Sequence, residues 1–482
     1  MTVPSPPIAS ILRHRRYGRT AALLLRPAAQ MAVATLFLAA TPGMARPESL
    51  RQAMADSYQG NPTLAAARDK VRVADEKVSV ALSAMRPTLG LQGSLGRLTG
   101  HQWETFAAYG VAEPQSASFR YDPRKLQASA SQALYRAGAL SAAVRAAEAQ
   151  VGVQLAQSVG TEQDVLFQVG AAAANIALAE AGLALAQEYE AALAKVLEGV
   201  SLMARYQDRA VTDVAQAQSR LSSARADLSQ ARARLASAHA AFEAVVGRPA
   251  AGIPDTRGLP LPAPDEGAAI AIALQRNPAV VAARHALDAA HAGVDVAVGN
   301  WLPAVDASAT YLYAREAAIG TIREQDREAW VRVTIPLFSG GGSTAVVRQS
   351  GYLVAQRRFD LEDSEAATTA TVRQAWQGLA TARQVVATRA AQSEAATRAH
   401  VSVDRQHRLG MRSFLETLDA LRDSVNGRGT LAKAQNALTI AELKLLASTG
   451  GLTATQLALP VTLWDNATFL RAARRAWLDL GQ

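Results

Sequence analysis

A tandem duplication is the feature that most constrains how this 482-residue chain folds. The segment Asn61–Arg68 (NPTLAAAR) recurs as Asn277–Arg284 (NPAVVAAR), a shift of 216 positions. Farther along, Leu134-Tyr135 matches Leu337-Phe338 at a shift of 203. Self-similarity on this scale indicates that the chain builds one structural unit twice. The shift shortens because the first half carries extra residues at about 99–118, which we predict to form a long loop.

Proline content marks the boundary between the two repeats. Residues 248–264 contain five prolines in 17 positions, which is typical of a linker. The first repeat then covers 46–247 and the second covers 265–452, leaving 453–482 as a C-terminal segment. We expect each repeat to contain helices, a β-hairpin, a long helix and a coiled-coil return helix.

Residues 1–45 have the three parts of a secretory signal peptide. Five arginines and no acidic residue precede residue 46, Met31–Ala40 is an apolar run, and Gly43 and Ala45 are small residues before the expected cleavage. We therefore predict export. A membrane anchor fits less well, because ten apolar residues cannot span the hydrocarbon core. Since the net charge of +9 includes these arginines, the rest of the chain has little basic excess and nucleic-acid binding is not indicated.

Two long stretches without proline, 124–248 and 337–459, predict long, closely packed helices. Within the first, apolar residues recur every seven positions from Val214 to Phe242, and alanines follow three residues later, which is the spacing of a coiled-coil seam. We predict long helices at 137–205 and 343–409, and shorter ones at 61–86, 211–247, 277–300 and 411–449. Each long helix would measure about 100 Å, nearly the summed length of two short ones. One long helix beside two short ones stacked end to end would form a cylinder wall.

Four segments between the helices alternate apolar and polar residues, as strands with one apolar face do. They cover 89–95, 126–131, 305–313 and 331–337. Such strands fit a membrane barrel with a wet lumen, and they fit a half-buried sheet of a soluble protein equally well. Tyr311, Tyr313 and Trp330 suit an aromatic girdle at a membrane interface. Because the smallest membrane barrels have about eight strands, four strands would have to be completed by other copies.

No residue pattern points to catalysis or to a bound cofactor. The absence of cysteine excludes disulfides, thiolate metal sites and cysteine nucleophiles. Gly340–Thr344 lacks the lysine of a phosphate-binding loop, so we interpret it as a strand-to-helix turn. His285 and His291, and likewise His400 and His407, lack the spacing of four that helical zinc pairs prefer. We therefore expect no enzyme activity, no metal and no cofactor.

One turn stands out by its polar residues. Between the predicted long and short helices of the second half, His407–Ala420 reads HRLGMRSFLETLDA. Glu416 and Asp419 are three residues apart, on one face of a helix. In an oligomer such a pair would become rings of carboxylates that select cations at a constriction. Ordinary solvent-exposed acids are the alternative interpretation.

Across nearly the whole mature chain these features resemble the TolC-like outer-membrane efflux family. The resemblance is carried by the repeated Asn-Pro helix starts, by Gln132–Gly138 (QALYRAG) and Ile335–Gly341 (IPLFSGG), and by the turn Gly410–Ala420. It implies an α+β membrane protein whose long coiled-coil helices form an α-barrel tunnel. Four strands from each of three protomers would form one twelve-stranded outer-membrane β-barrel, continuous with the periplasmic tunnel.

The resemblance also implies a gate at the tunnel tip. By motif position Arg412 is similar to the arginine that locks the tip, with Thr212 and Asp213 as its partners across the interface and Gly410 at the turn. His407 stands where the family usually has tyrosine, which would make closure dependent on pH. Glu416 and Asp419 are similar to the acidic rings of the periplasmic entrance, with glutamate in place of the usual first aspartate.

The function implied is a passive exit duct in the outer membrane. An inner-membrane ABC transporter would drive export through a periplasmic adaptor, and the sequence lacks the N-terminal cysteine of many drug-efflux members. This favours the type I secretion branch, with an exported toxin of the repeat-in-toxin class as cargo and outer-membrane lipid around the trimer. The alternatives are the outer-membrane component of a small-molecule efflux pump and a periplasmic coiled-coil scaffold. A scaffold would explain the heptads but not the duplicated strands.

Overall fold

The computed structural model describes residues 49–108, 111–206, 211–252, 260, 262–317, 322–465 and 471. All of them belong to the unit Ala45–Gln482. The predicted signal peptide and most of the C-terminal segment beyond residue 465 therefore lie outside the described residues.

The same order of elements occurs twice, as the duplication predicts. The first repeat comprises α1 (Leu50–Gly60), α2 (Pro62–Ser83), β1 (Thr88–Leu95), β2 (Leu98–Ala108), β3 (Val111–Tyr121), β4 (Arg124–Tyr135), α3 (Ala139–Arg205) and α4 (Val211–Val246). The second comprises α5 (Glu266–Arg276), α6 (Pro278–Trp301), β5 (Ala304–Arg315), β6 (Arg323–Thr334), α7 (Gly342–Arg408) and α8 (Phe414–Ser448). The six predicted helices are all present, and α1 and α5 are short helices that the heptad pattern did not reveal.

Glycines in the left-handed region start both long helices. Gly138 (φ 80°) precedes α3 and Gly341 (φ 84°) precedes α7. A side chain with a Cβ is strained in this conformation, so glycine is the residue that lets the chain leave a strand and enter a helix directly. The interpretation of Gly340–Thr344 as a strand-to-helix turn is confirmed.

The repeated Asn-Pro pairs have a structural role that is the same in both halves. The Oδ1 atom of Asn61 accepts a hydrogen bond from the N–H of Thr63 (2.9 Å), which caps α2, and its Nδ2 donates to the carbonyl of Val245 at the end of α4 (3.2 Å). Asn277 caps α6 in the same way, and its Nδ2 donates to the carbonyl of Ser448 at the end of α8 (2.9 Å). Each asparagine therefore ties the start of one short helix to the end of the other, beside a long helix.

The largest apolar core lies where the short helices meet. Its largest fully buried members come from α1, α2, α3, α4, α8 and the C-terminal segment: Met54, Leu64, Leu166, Ile176, Phe242, Leu443 and Leu452. The carboxylate of Glu162 on α3 accepts a hydrogen bond from the N–H of Ala454 (2.6 Å) and holds the C-terminal segment against this core. Burial raises the pKa of Glu162.

The coiled-coil seam of α4 lies against α3 as predicted. Ala217, Leu221, Ala224, Ala231 and Phe242 are buried, and they follow the seven-residue spacing read from the sequence. Alanine at alternate seam positions allows the two helix axes to approach closely. By hydropathy and length α3 also qualifies as a membrane helix, but its 67 residues extend about 100 Å and contact α2, α4, α6 and α8. Its apolar surface is therefore used in helix packing.

Four strands form one antiparallel sheet in the order β1-β4-β5-β6. The contact of β4 with β5 joins the two repeats, and Ala128 lies directly opposite Tyr311. Within the described part of the chain, β1 and β6 each have a neighbouring strand on one side only. The sheet therefore has two open edges.

The four predicted strands form this sheet, and the extra segment of the first half, expected as a loop, is a hairpin instead. Residues 98–108 and 111–121 form the hairpin β2–β3, which continues the β1–β4 pair outward. At the junction, Arg97 pairs with Asp122 (2.7 Å) and the N–H of Gly96 donates to the carbonyl of Pro123 (3.0 Å). The four-stranded sheet has the predicted strands, and the hairpin is an addition to it.

The two faces of the four-stranded sheet differ in polarity. Leu89, Ala130, Ala309 and Ala329 lie in one row across the apolar face, and Tyr311 and Tyr313 share that face. Trp330 lies on the polar face, because it is opposite Ser308 and its Nε1 donates to Glu328 (3.2 Å). The predicted girdle position is therefore wrong for Trp330, since alternation along β6 gives the apolar face to Val331 and Val333.

Candidate gate at the helical turns

The turn between α7 and α8 closes the helix with a left-handed glycine. Gly410 has a φ of 76°, and its N–H donates to the carbonyl of His407 (2.9 Å). The N–H of Met411 donates to the carbonyl of Gln406 (3.0 Å), which satisfies a second carbonyl of the last helical turn. Gly410 thus occupies the turn position that the sequence predicted.

Ser413 and Glu416 form a capping box at the start of α8. The Ser413 Oγ accepts from the N–H of Glu416 (3.2 Å), and Glu416 Oε2 accepts from the N–H of Ser413 (2.8 Å). The pKa of the Glu416 carboxyl is lowered, mainly because its carboxylate accepts the hydrogen bond from the Ser413 backbone. A second hydrogen bond to the carboxylate, from the Arg412 side chain, lowers the pKa further. This role of Glu416 was not among those predicted from the sequence, although Ser-x-x-Glu before an apolar residue is the signature of a capping box.

Arg412 is held inside its own turn. Its Nη1 lies 3.0 Å from Glu416 Oε1, and its Nε donates to Gln406 Oε1 (3.1 Å). His407 Nδ1 lies 3.0 Å from the backbone carbonyl oxygen of Arg412, and the His407 ring is 6.2 Å from the ring of Phe414. Arg412, Glu416 and His407 are therefore one local cluster.

The first turn of α4 holds the other two predicted gate residues. Thr212 is exposed and Asp213 is half-buried, while residues 207–210 before them lie outside the described part of the chain. The contacts that fix Arg412 in one protomer are with α7 and α8. Its pairing with Thr212 and Asp213 was predicted across a protomer interface and stays a prediction.

An apolar cluster brings the two turns together. It consists of buried residues from α3, α4 and α8: Leu193, Val200, Ala217, Leu221, Phe414 and Leu418. The start of α8 therefore packs on the α3–α4 pair just above the turns. A movement of α8 at the tip would have to separate or slide these side chains.

Ion pairs between the repeats reinforce this packing. Asp419 on α8 pairs with Arg220 on α4 (2.9 Å). Farther from the tip, Arg428 on α8 makes two hydrogen bonds of 2.8 Å to Glu188 on α3, which lower the pKa of that carboxyl. Both predicted ring acids, Glu416 and Asp419, thus have an arginine partner in the same protomer.

The histidines do not form a metal site in the described residues. No group of three or more histidine and acidic side chains there has the arrangement to hold a metal ion. The His285 ring lies against Gly152 in the contact between α6 and α3, so it is a packing residue.

Comparison with known proteins assigns the chain to a family. The family model described as outer membrane efflux protein matches residues 54–248 and 269–451, one match in each repeat. The chain belongs to this family. The resemblance stated from the motifs is confirmed, and the protein is an outer-membrane channel protein with a periplasmic helical tunnel.

Relatives within the family have been named for different tasks. The outer membrane efflux protein BepC of Brucella suis is 29% identical over 441 residues, which cover 90% of this chain and 92% of BepC. The alkaline protease secretion protein AprF of Pseudomonas aeruginosa is 27% identical over 171 residues, 34% of this chain and 35% of AprF. The crystal structure of the outer membrane protein VceC from Vibrio cholerae has the same fold, with a TM-score of 0.67 at 18% identity over 83% of this chain and 96% of VceC.

Proposed function

We propose that three copies of this chain form a passive exit duct of a type I secretion system. Members of the family are trimeric outer-membrane channels that work with adaptor proteins and inner-membrane transporters. In this proposal the transporter is an ABC protein, the adaptor is periplasmic, and the cargo is a secreted protein of the repeat-in-toxin class. The channel itself supplies a route and a gate, and no chemical step.

The observation that carries the duct is the four-stranded sheet with two open edges. An open sheet edge carries backbone N–H and C=O groups without hydrogen-bond partners. Such an edge is not tolerated in the hydrocarbon of a membrane, because no water is present to bond these groups. Pairing β1 of one copy with β6 of the next removes every edge when the ring closes. Three copies give twelve strands, which exceeds the minimum of about eight for a membrane barrel.

The helices support a tunnel below the barrel. α3 and α7 have 67 residues each, so both extend about 100 Å. The asparagine contacts place α2 end to end with α4, and α6 end to end with α8, beside these long helices. A wall of this kind would reach from the barrel to a partner in the periplasm.

Glu416 and Asp419 are proposed to select cations at the periplasmic entrance. Each acid faces an arginine, Arg412 and Arg220 respectively, so removing the acids leaves an excess of positive charge. We expect the double variant Glu416→Ala, Asp419→Ala to lose cation selectivity in planar bilayers and to be blocked less by multivalent cations. Asp423→Ala, an exposed acid on the same helix, is the matched control. Unchanged selectivity of the double variant would make both residues ordinary surface acids.

A second candidate is the outer-membrane component of a small-molecule efflux pump. It is favoured by the similarity to BepC over nearly the whole chain, whereas the similarity to AprF covers about a third. The names of these relatives describe efflux and protease secretion, and the duct geometry serves both.

One experiment separates the two functions. A host lacking its own channels is given this chain with either a type I ABC transporter, its adaptor and a protein cargo, or a proton-driven drug pump with its adaptor. We expect cargo in the medium in the first case and no gain of drug resistance in the second. Resistance without secretion would support the second candidate. If the chain restored neither secretion nor resistance, the exit duct itself would be contradicted.

A further inference from the structure

The apolar face of the four-stranded sheet ends in a row of arginines at the strand ends far from the helices. Arg124 on β4, Arg315 on β5 and Arg323 on β6 lie directly opposite one another on neighbouring strands. All three side chains are exposed. Like charges at directly opposed positions of a sheet repel each other, so this row is unfavourable without a source of negative charge.

The described part of the protein supplies no bonded carboxylate to these arginines, and Asp122 acts on Arg124 by charge alone, without an ion pair. None of the three arginines forms an ion pair with a described residue, whereas Asp122 close by pairs with Arg97 (2.7 Å). Arg323 instead lies over the ring of Tyr313, 5.4 Å from its centroid. The acids Glu324, Asp326 and Glu328 alternate with the arginines along β6 and therefore lie on the opposite, polar face.

The depth of the row matches a membrane surface. The row Val305–Val333 lies at the helix end of the same face, ten residues along the strand from the row Arg315–Arg323. Ten residues extend about 33 Å, which is about 25 Å in height at the usual strand tilt of barrels. The apolar band of outer-membrane barrels has this height. Because the helices lie in the periplasm, the arginines lie at the outer leaflet, with Tyr311 and Tyr313 just below them.

We propose that Arg124, Arg315 and Arg323 bind the phosphate groups of anionic lipids in the outer leaflet. The proposal rests on the barrel described under Proposed function, with the apolar face toward lipid. A guanidinium binds phosphate through two parallel hydrogen bonds and keeps its charge at any relevant pH. Phosphates between the three side chains would replace their mutual repulsion by attraction, and the row in one protomer is sufficient for binding.

The test measures lipid binding to the assembled full-length protein. Lipid A carrying two phosphates is titrated into the protein in mild detergent, and bound copies are counted by native mass spectrometry. We compare the wild type with Arg124→Gln, Arg315→Gln, Arg323→Gln, and with the same three positions changed to Lys. The matched control changes three exposed arginines on α1 and α4 that also form no ion pair with described residues: Arg51→Gln, Arg232→Gln, Arg234→Gln.

We expect binding to the triple Gln variant to be weaker by roughly tenfold or more, the Lys variant to recover part of it, and the control to equal the wild type. Inorganic phosphate should compete only at far higher concentration than lipid A. Equal binding by the wild type and the triple Gln variant, or by lipid A without its phosphates, would overturn the proposal, and so would a site that takes free phosphate but no lipid. The same spectra count protomers, so a failure of the trimer is distinguished from a failure of lipid binding.

Discussion

Local bonds dominate the gate turn at the scale of single residues. Arg412 is already bonded to Glu416 and Gln406, so a bond from it to Asp213 of a neighbouring copy must be shared with these partners or exchanged for them. A charge-assisted hydrogen bond is worth about 1.5–3 kcal/mol when it is shielded from water. An exposed pair contributes about 0–1 kcal/mol. Three copies acting together would therefore hold the tip closed by a few kcal/mol, which a partner that prefers the open form can overcome.

The first prediction concerns this lock. The double variant Arg412→Ser, Asp213→Ala should increase single-channel conductance in planar bilayers while leaving assembly unchanged, because it removes the charged partners at the tip. Arg408→Ser is the control, since Arg408 lies in the same turn but pairs with Asp404 of its own helix (2.7 Å). A double variant that conducts like the wild type would show that these residues do not lock the tip.

The second prediction concerns acid. A carboxyl group whose pKa is lower in the folded turn stabilises the turn at neutral pH, and this contribution is lost as the pH falls through the lowered value. We therefore expect conductance to rise at acid pH, where Glu416 takes up a proton and the capping box with Ser413 weakens, so that the turn carrying Arg412 loses its order. Glu416→Gln should open more readily at pH 7 and lose this acid response, whereas Glu394→Gln on α7 should behave as wild type.

His407 provides the competing explanation for a response to pH. A response of conductance to pH that persists in Glu416→Gln and disappears in His407→Phe would assign the response to the imidazole instead. The phenylalanine ring would keep the contact with Phe414 and lose only the bond to the Arg412 carbonyl.

The position of the turn could be predicted from the sequence, but two of its interactions, the capping box of Glu416 and the ion pair of Asp419, were not predicted. Gly410 could be predicted because few residues other than glycine take a left-handed conformation after a helix. The capping role of Glu416 is visible in the spacing Ser413-x-x-Glu416, a signature that the interpretation of Glu416 as a ring acid leaves out. The pairing of Asp419 with Arg220 could not be read from the sequence, because the two are 199 residues apart and meet only in the folded chain, where α4 and α8 both pack on α3.

At the scale of elements, helices were easier to predict than strands. Sustained heptads fix long helices, and the two copies of the pattern support each other, so the predicted ends are close to those observed. The hairpin β2–β3 has no second copy. Its strand β3 also contains Pro114, which cannot donate to a sheet hydrogen bond and argues against a strand. The sequence therefore gives little sign of this hairpin, and the difference in length between the repeats by itself predicts only a longer loop.

The third prediction follows from the position of this hairpin. Replacing residues 98–121 by a short Asn-Gly turn should leave trimer assembly and conductance intact, because β1 and β4 keep their eight paired positions without it. The mass in mild detergent and the conductance in planar bilayers are the measurements. A variant that no longer assembles would mean that the hairpin contributes to contacts between copies.

At the scale of the whole molecule, the open sheet edges predict that β1 of one copy pairs with β6 of the next, which can be tested directly. Because the chain has no cysteine, one cysteine placed on β1 at Leu91 and a second placed in turn at successive positions of β6 can form only the intended crosslinks. We expect oxidation to give a covalent ladder that ends at three copies for the β6 positions in register. A ladder that ends at two copies, or crosslinking within one chain, would contradict the shared barrel.

The contacts of Asn61 and Asn277 also determine how far the tip moves when α4 or α8 tilts. α4 and α8 run from these contacts to the tip with 36 and 35 residues, so each is a lever arm of about 53 Å. On such an arm a tilt of about 5° at the fixed end displaces the tip by nearly 5 Å, more than the length of any hydrogen bond in the turn. A small change of angle at the fulcrum near Val245 or Ser448 is therefore enough to separate the tip contacts, and the helices themselves need not bend.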